Sequence, residues 1–215
     1  MKLVVLSDTH EHFHRLEDLP PADLLVHCGD FTNQGNLKRV AEFADWLHRI
    51  ADRYIRIIIV AGNHDRTFDE PGKSRGQHRL QENGPSNIIY LNHSQYIFND
   101  TVIFGSPFTP RFGDWAFNVE RGQPMADKWA SIPHNTNVLI THGPARGILD
   151  PGRHEEHVGC DDLAARIAAV KPRLHVFGHC HSGYGRVNCR STLHVNAASC
   201  DEMHNLVNAP QVISL

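Results

Sequence analysis

Met1-Lys2-Leu3-Val4-Val5-Leu6-Ser7-Asp8-Thr9-His10 decides how the rest of the sequence is read. Leu3–Leu6 is apolar on consecutive residues, which suits a strand buried on both faces, as in a parallel sheet covered by helices. A carboxylate and an imidazole follow at once, two positions apart. The same arrangement recurs down the chain. Leu24–Val26 precedes Gly29-Asp30, and Ile55–Val60 precedes Gly62-Asn63-His64-Asp65. Val138–Ile140 precedes His142-Gly143, and Leu174–Phe177 precedes Gly178-His179-Cys180-His181. The carboxyl ends of such strands are where open α/β sheets place their functional crevice, because rigid strand ends can aim side chains from distant segments at one point.

Helical periodicity fills the gaps between the runs. Over 36–51, Leu37, Val40, Phe43, Ala44, Leu47 and Ile50 recur every three or four residues, the stripe of an amphipathic helix. A second helix is expected after Asp161, which can cap it, with Leu163, Ala164, Ile167, Ala168 and Val170 as its stripe and Pro172 as its stop. The middle and the tail read as strands at 87–91, 96–98, 102–104, 193–195 and 212–215. Residues 66–85 are polar, carry Gly and Pro, and read as a long loop with one helical turn. No repeat or linker interrupts the 215 residues, so one α/β domain over 1–215 is expected.

Charge is nearly balanced, with 21 basic and 24 acidic residues, which excludes the electrostatic signature of a binder of long nucleic acid or of membrane surfaces. No apolar run reaches the length of a signal peptide or a membrane span. Five cysteines at irregular spacings make no disulfide framework, so a reducing, cytoplasmic setting is expected. Cys28 and Cys180 stand beside polar clusters but read as small buried apolar residues, since alternate strand residues face opposite sides. The compositional excess is in histidine, with 17. Of these, His12, His14, His154 and His157 lie in polar stretches and read as solvated.

Asp8, His10, Asp30, Asn63, His142, His179 and His181 together form a candidate metal-ligand set. Asp8 and His10 can reach one cation if the chain turns at Thr9. Asp30 offers two oxygens and can bridge two cations, Asn63 adds a neutral amide oxygen, and three imidazoles complete the set. Mixed nitrogen and oxygen ligation suits iron, manganese, zinc or nickel rather than a soft copper site. Two such ions, roughly 3.5–4 Å apart, clamp the phosphoryl oxygens of an in-line displacement and lower the pKa of the water between them. A lone buried His or Asp is more often a hydrogen-bonding group than a ligand. Joint occurrence at strand ends favours the metal reading.

The motif order D-x-H, G-D, G-N-H-D, T-H-G-P, G-H-x-H resembles that of the calcineurin-like metallophosphoesterases over essentially the whole chain. Within that superfamily, Gly29-Asp30-Phe31-Thr32, Arg121-Gly122-Gln123, Asp127-Lys128-Trp129, Leu174-His175-Val176-Phe177-Gly178 and Asn196-Ala197-Ala198-Ser199-Cys200 resemble the metallophosphoesterase-domain (MPPED) proteins. These are similar to the class III cyclic nucleotide phosphodiesterases. The resemblance implies an αββα architecture, a two-sheet sandwich flanked by helices. It implies one cation on Asp8, His10, Asp30 and His181 and a second on Asp30, Asn63, His142 and His179. His64 corresponds to the family's non-ligand histidine, which touches the scissile phosphate and protonates the leaving oxygen. Vertebrate members of the branch can carry glycine where this chain has His179, so a fuller second site is implied here. Protein Ser/Thr phosphatases have an Asp-Arg pair at the places held by Asn33 and Gln34. Its absence argues against a protein phosphatase and leaves the phosphate clamp unassigned, with Asn33 as a candidate to orient His64.

The sequence therefore reads as a metal-dependent phosphodiesterase holding two divalent or trivalent ions, manganese, iron or zinc, and working as a monomer or homodimer. Its expected partners are small phosphodiesters or nucleotides, with 2′,3′- or 3′,5′-cyclic nucleotides implied by the resemblance, and neither membrane nor long nucleic acid. A nucleotide phosphomonoesterase or a nuclease is the enzymatic alternative. A non-catalytic nucleotide-binding or scaffold protein is the alternative of another class, and retention of every ligand speaks against it. Residues 105–118 carry Phe108, Phe112, Trp115 and Phe117. They are expected to form an aromatic satellite core pinning a loop, in preference to a wall on which a base stacks, with Arg111 in reach of a phosphate in the second case.

Overall fold

The computed structural model describes residues 1–70, 74–152 and 156–215. Strand β1 (Lys2–Leu6) is followed by β2 (Ala22–His27), α1 (Leu37–Ile50), β3 (Tyr54–Ile59), α2 (Arg75–Asn83) and β4 (Ile88–Tyr90). Next come β5 (Ser94–Phe98), β6 (Thr101–Ser106), the two-residue strands β7 (Thr109–Pro110) and β8 (Asn118–Val119), α3 (Gln123–Ala130) and β9 (Val138–Thr141). The rest is α4 (Asp161–Val170), β10 (Leu174–Phe177), β11 (Gly185–Cys189), β12 (Thr192–Asn196) and β13 (Gln211–Ser214). One sheet has the order β13-β1-β2-β3-β4, the other β11-β12-β10-β9-β6-β5. Their central strands run parallel, and β13, β11 and β5 add antiparallel edges.

Side-chain alternation divides the core into three layers. Leu3, Val5, Leu24, Val26 and Ile58 of the first sheet meet Ile103, Val138, Ile140, Val176 and Val195 of the second, so this layer lies between the sheets. The opposite faces carry Val4, Leu6, Leu25, Ile57 and Ile59, covered by Val40, Phe43, Trp46, Leu47 and Ile50 of α1. On the far side of the second sheet, Phe104 and Leu139 pack under Met125 and Trp129 of α3 and Leu163, Ile167 and Val170 of α4. Helix, sheet, sheet and helix is the expected αββα sandwich. Each fully buried leucine or isoleucine contributes about 1.5–3 kcal/mol, so the strand ends stand on a stiff base.

Helix boundaries follow local chemistry. Asn36 caps α1 by accepting from the Lys38 amide at 2.9 Å. The cap of α4 is Cys160, whose Sγ accepts from the Leu163 amide at 3.4 Å. Asp161, expected as the cap, is instead the first helical residue, where its charge complements the helix dipole. Lys171 ends α4 in the left-handed region at φ 57°, and Pro172 follows. The expected loop over 66–85 contains the nine-residue α2. Only Gly76 and Leu80 of α2 are buried, too narrow a stripe to register as periodicity, and Ser74 caps it at 3.1 Å from the Gln77 amide. Helix α3, anchored by Met125 and Trp129 alone, and the exposed edge strand β11 went unforeseen for the same reason.

Candidate metal centre

All seven expected ligands gather at the carboxyl ends of the strands, each in the turn that follows one. Asp8 and His10 leave β1, Asp30 leaves β2, Asn63 follows β3, His142 follows β9, and His179 and His181 follow β10. Asp8, His10, Asp30 and His179 adopt left-handed φ values of 49°, 41°, 56° and 68°. Non-glycine residues held there cost about 1–3 kcal/mol each, which the packed sheets beneath must offset. The glycines beside them are there for space. A Cβ on Gly178 would collide with Asp8 Oδ2, and one on Gly62 with Asp30 Oδ1.

Backbone acceptors outside the cluster fix the inward face of two rings. His142 Nδ1 lies 2.9 Å from the Cys28 carbonyl and His181 Nδ1 2.8 Å from the Asp201 carbonyl. A carbonyl only accepts, so both Nδ1 atoms carry hydrogen, and in the neutral ring both Nε2 atoms present lone pairs inward. Those lone pairs meet other acceptors. His142 Nε2 stands 2.8 Å from Asn63 Oδ1 and 3.3 Å from Asp30 Oδ2. His179 Nδ1 lies 2.9 Å from the same Asn63 oxygen, and His10 Nε2 lies 3.3 Å from His181 Nε2. Asp8 Oδ2 accepts from the His179 amide at 2.9 Å, while Asp8 Oδ1, buried 3.4 Å from His181 Nε2, has no hydrogen bond. Acceptors converging on acceptors need protons or a cation between them, and nitrogen with carboxylate and amide oxygen is a fitting donor set for a divalent transition metal.

The titration behaviour carries the same message. Burial works against charge on Asp8 and Asp30, yet neighbouring imidazoles, His181 for the first and His142 for the second, hold both carboxyls well below their usual range. Burial also opposes protonation of His142 and His181, but Asp30 and Asp8 respectively raise them to about 9. His10 and His179, where burial dominates, fall to about 4. Without metal, the site keeps protons on two rings to satisfy its carboxylates.

Among the described residues, three groups have ligand atoms close enough to share one cation: His10 with Asp30 and His64, Asp30 with His142 and His179, and His10 with His181 and His204. Asp30 belongs to two of them. His64, expected as a non-ligand, has its ring Nδ1 2.7 Å from the Asn33 backbone carbonyl and its Nε2 4.0 Å from Asp30 Oδ2. Asn33, the candidate to orient His64, thus does so through its main chain.

Several residues at the site escaped sequence reading. His204 stacks on His10 with ring centres 3.9 Å apart, and nothing in its polar surroundings announces it. Asp65 was visible within the G-N-H-D motif without a role. Its buried carboxylate accepts from the amides of Asp30, Gly62 and Thr32 and from the Thr32 hydroxyl, at 2.8–3.0 Å. The aromatic segment divides. Phe117 and Phe108 pack into the core as expected, but Trp115 lies 4.2 Å from the His64 ring and Phe112 5.1 Å from His179, flanking the metal centre. Arg111 pairs with Glu120. Cys28 and Cys180 are buried and free, as expected. His14 is exposed and His12 partly so, whereas exposed His157 is tied to buried Asp150 at 2.8 Å. His154 lies outside the described residues.

Comparison with known proteins agrees with this geometry. The family described as calcineurin-like phosphoesterase matches residues 1–183. The human metallophosphoesterase domain-containing protein 1 is 39% identical over 100% of this chain and 71% of its own length. A UPF0046 protein of Caenorhabditis elegans is 33% identical over 99% of this chain and 74% of its own. Among solved structures, TT1561 of Thermus thermophilus superposes with a TM-score of 0.64 at 13% identity, over 91% of this chain and 88% of that one, a likeness of fold alone.

Proposed function

Because the chain belongs to the calcineurin-like phosphoesterase family, whose members are metal-dependent phosphoester hydrolases, we propose that it is a dinuclear phosphodiesterase acting on small, nucleotide-like phosphodiesters. Cyclic nucleotides, 2′,3′ or 3′,5′, are its expected substrates. One observation carries the dinuclear reading: Asp30 belongs to two potential cation groups, one with His10 and His64 and one with His142 and His179. One ion is assigned to Asp8, His10, Asp30 and His181, the other to Asp30, Asn63, His142 and His179. When bound, manganese, iron or zinc would supply Lewis acidity and an activated water.

The remaining work falls to the chain's own side chains. His64 is the catalytic residue. Its Nδ1–H is held by the Asn33 carbonyl, so the imidazolium form presents Nε2–H to the site beside Asp30 and can protonate the departing oxygen. Sugar alkoxides are poor leaving groups, which is where a positioned acid contributes most. Trp115 and Phe112 stand on either side of the metal centre, and either ring can stack on a nucleobase, a contact worth roughly 1–3 kcal/mol. The five free cysteines support a reducing, cytoplasmic setting, and among the described residues no helix is long and apolar enough to cross a membrane. The chain is assigned as a monomer or homodimer.

The test is a screen of metal-reconstituted protein against cyclic nucleotides, mononucleotides, dinucleotides and bis(p-nitrophenyl) phosphate, with and without chelator. Faster chelator-sensitive turnover of cyclic nucleotides than of mononucleotides supports the assignment. Preference for mononucleotides turns it into a phosphomonoesterase, and no turnover with any metal into a binding protein.

A further inference from the structure

On the outer face of the second sheet, away from the metal centre, a cleft of about 390 Å³ opens between α4 and the turn joining β11 to β12. Ala164, Ile167 and Ala168 of α4 form one wall, and Ile148 adds to it. Arg146, Lys171 and Arg190 stand at its exposed rim, and among the described residues no acidic one lines it. Arg146 is engaged by Asp161 at 3.4 Å, but Lys171 and Arg190 form no ion pair among the described residues. Such a volume is at the small end of ligand pockets, and an apolar wall with unmatched positive charge at the mouth is complementary to an apolar anion.

The floor is His194, only 3% exposed. Its tautomer follows from a chain of hydrogen bonds along the sheet. The Thr141 hydroxyl donates to the Gly143 carbonyl at 2.6 Å, so its oxygen must accept from His175 Nε2 at 2.8 Å. His175 Nδ1 is then a lone pair and accepts from His194 Nδ1–H at 3.1 Å. Burial keeps both rings neutral, lowering His194 to about 4 and His175 well below its ordinary value. Since Nδ1 of His194 turns inward to fully buried His175, the Nε2 edge is the one that faces the cleft. It is an acceptor with no partner among the described residues. An acceptor edge oriented by three consecutive hydrogen bonds is a built feature, and a donor seated in the cleft takes the place of water there.

We propose that this cleft is a second binding site for a small ring-bearing acid: its ring lies against Ala164 and Ala168, an N–H or O–H on it donates to His194 Nε2, and its anionic group meets Lys171 and Arg190. The probe is 8-anilino-1-naphthalenesulfonate, which has all three features, titrated into the metal-loaded full chain with ¹⁵N shift mapping. Saturable one-to-one binding is expected, with shifts at Ala164, Ala168 and Ser191. N-phenyl-1-naphthylamine, which lacks the sulfonate, should bind at least tenfold more weakly. Lys171→Glu with Arg190→Glu changes exposed positions only and leaves the fold intact, and it should weaken the sulfonate at least tenfold. His194→Phe and Ala168→Trp should do the same by removing the acceptor and filling the cleft. The proposal is overturned by absence of binding, by equal affinity for the two probes, by shifts at the metal-centre face, or by affinity indifferent to the double charge reversal.

Discussion

The backbone N–H of His64 donates to Asp30 Oδ1 at 2.8 Å, while the ring of the same residue stands 4.0 Å from Asp30 Oδ2. One residue thus helps hold the shared carboxylate with its main chain and faces the reaction space with its side chain. Replacement of the side chain leaves the main-chain contact in place. His64→Ala should therefore retain its metal content, measured by elemental analysis, yet lose about 10²–10⁴-fold in rate on a cyclic nucleotide. On bis(p-nitrophenyl) phosphate, whose leaving group needs no proton, the loss should be under about tenfold. An equal loss on both substrates would remove the acid role.

Asp65 acts behind the ligands. Its Oδ2 accepts from the Asp30 and Gly62 amides, both at 2.9 Å, and its Oδ1 from Thr32. Burial and the charge of Asp30 push it up to about 7, a cost the four donors counter. Asp65→Asn turns an acceptor into a donor and strands at least one buried N–H. A loss of about 1–3 kcal/mol per stranded group is expected in urea unfolding, together with weaker metal binding as the Asp30 turn loosens. Unchanged stability and metal content would show that the carboxylate organises nothing.

The sandwich and its seven candidate ligands were legible because each ligand follows a strand buried on both faces, a local pattern with a strong hydrophobic signal. Helix α2 was not, since Gly76 and Leu80 are its only buried residues and its remaining face is polar. His204 and Trp115 were hidden differently. Both reach the site from loops, where position depends on the rest of the fold rather than on any spacing in their own segment. The orientation of His64 was half visible: Asn33 was the right residue, but the contact is its main-chain carbonyl, which any residue at that position would supply.

Gly178 lies against Asp8 closely enough that a single methyl group must displace the carboxylate. Its backbone also accommodates the neighbouring His179 amide, which donates to Asp8 Oδ2 at 2.9 Å. Gly178→Ala should fold, because the strands beneath are unaltered, but bind metal at least tenfold more weakly, as read by calorimetric titration. Wild-type affinity would mean that Asp8 is free to move and is not needed where it stands.

Stability of the metal-free protein should peak near pH 6.5. His10 and His179 titrate near 4 in the fold against roughly 6.5 unfolded, so the unfolded chain binds more protons between these values and stability rises with pH through that window. His142 and His181 titrate near 9 in the fold, so their stabilisation is complete below 6.5 and is lost as pH climbs from 6.5 to 9. The depressed Asp8 and Asp30 add a further loss only below about pH 4. A fall of several kcal/mol between pH 6.5 and 9, from two imidazoles each raised from roughly 6.5 to about 9, is expected in urea unfolding of chelated protein. Metal reverses that limb, because it takes the place of the protons on His142 and His181 and binds more tightly as they leave. Saturating manganese should therefore abolish the alkaline decline. A metal-free stability that is flat or rising above pH 6.5 would mean that the two imidazoles do not share protons with Asp30 and Asp8, and the cluster would lose its electrostatic account.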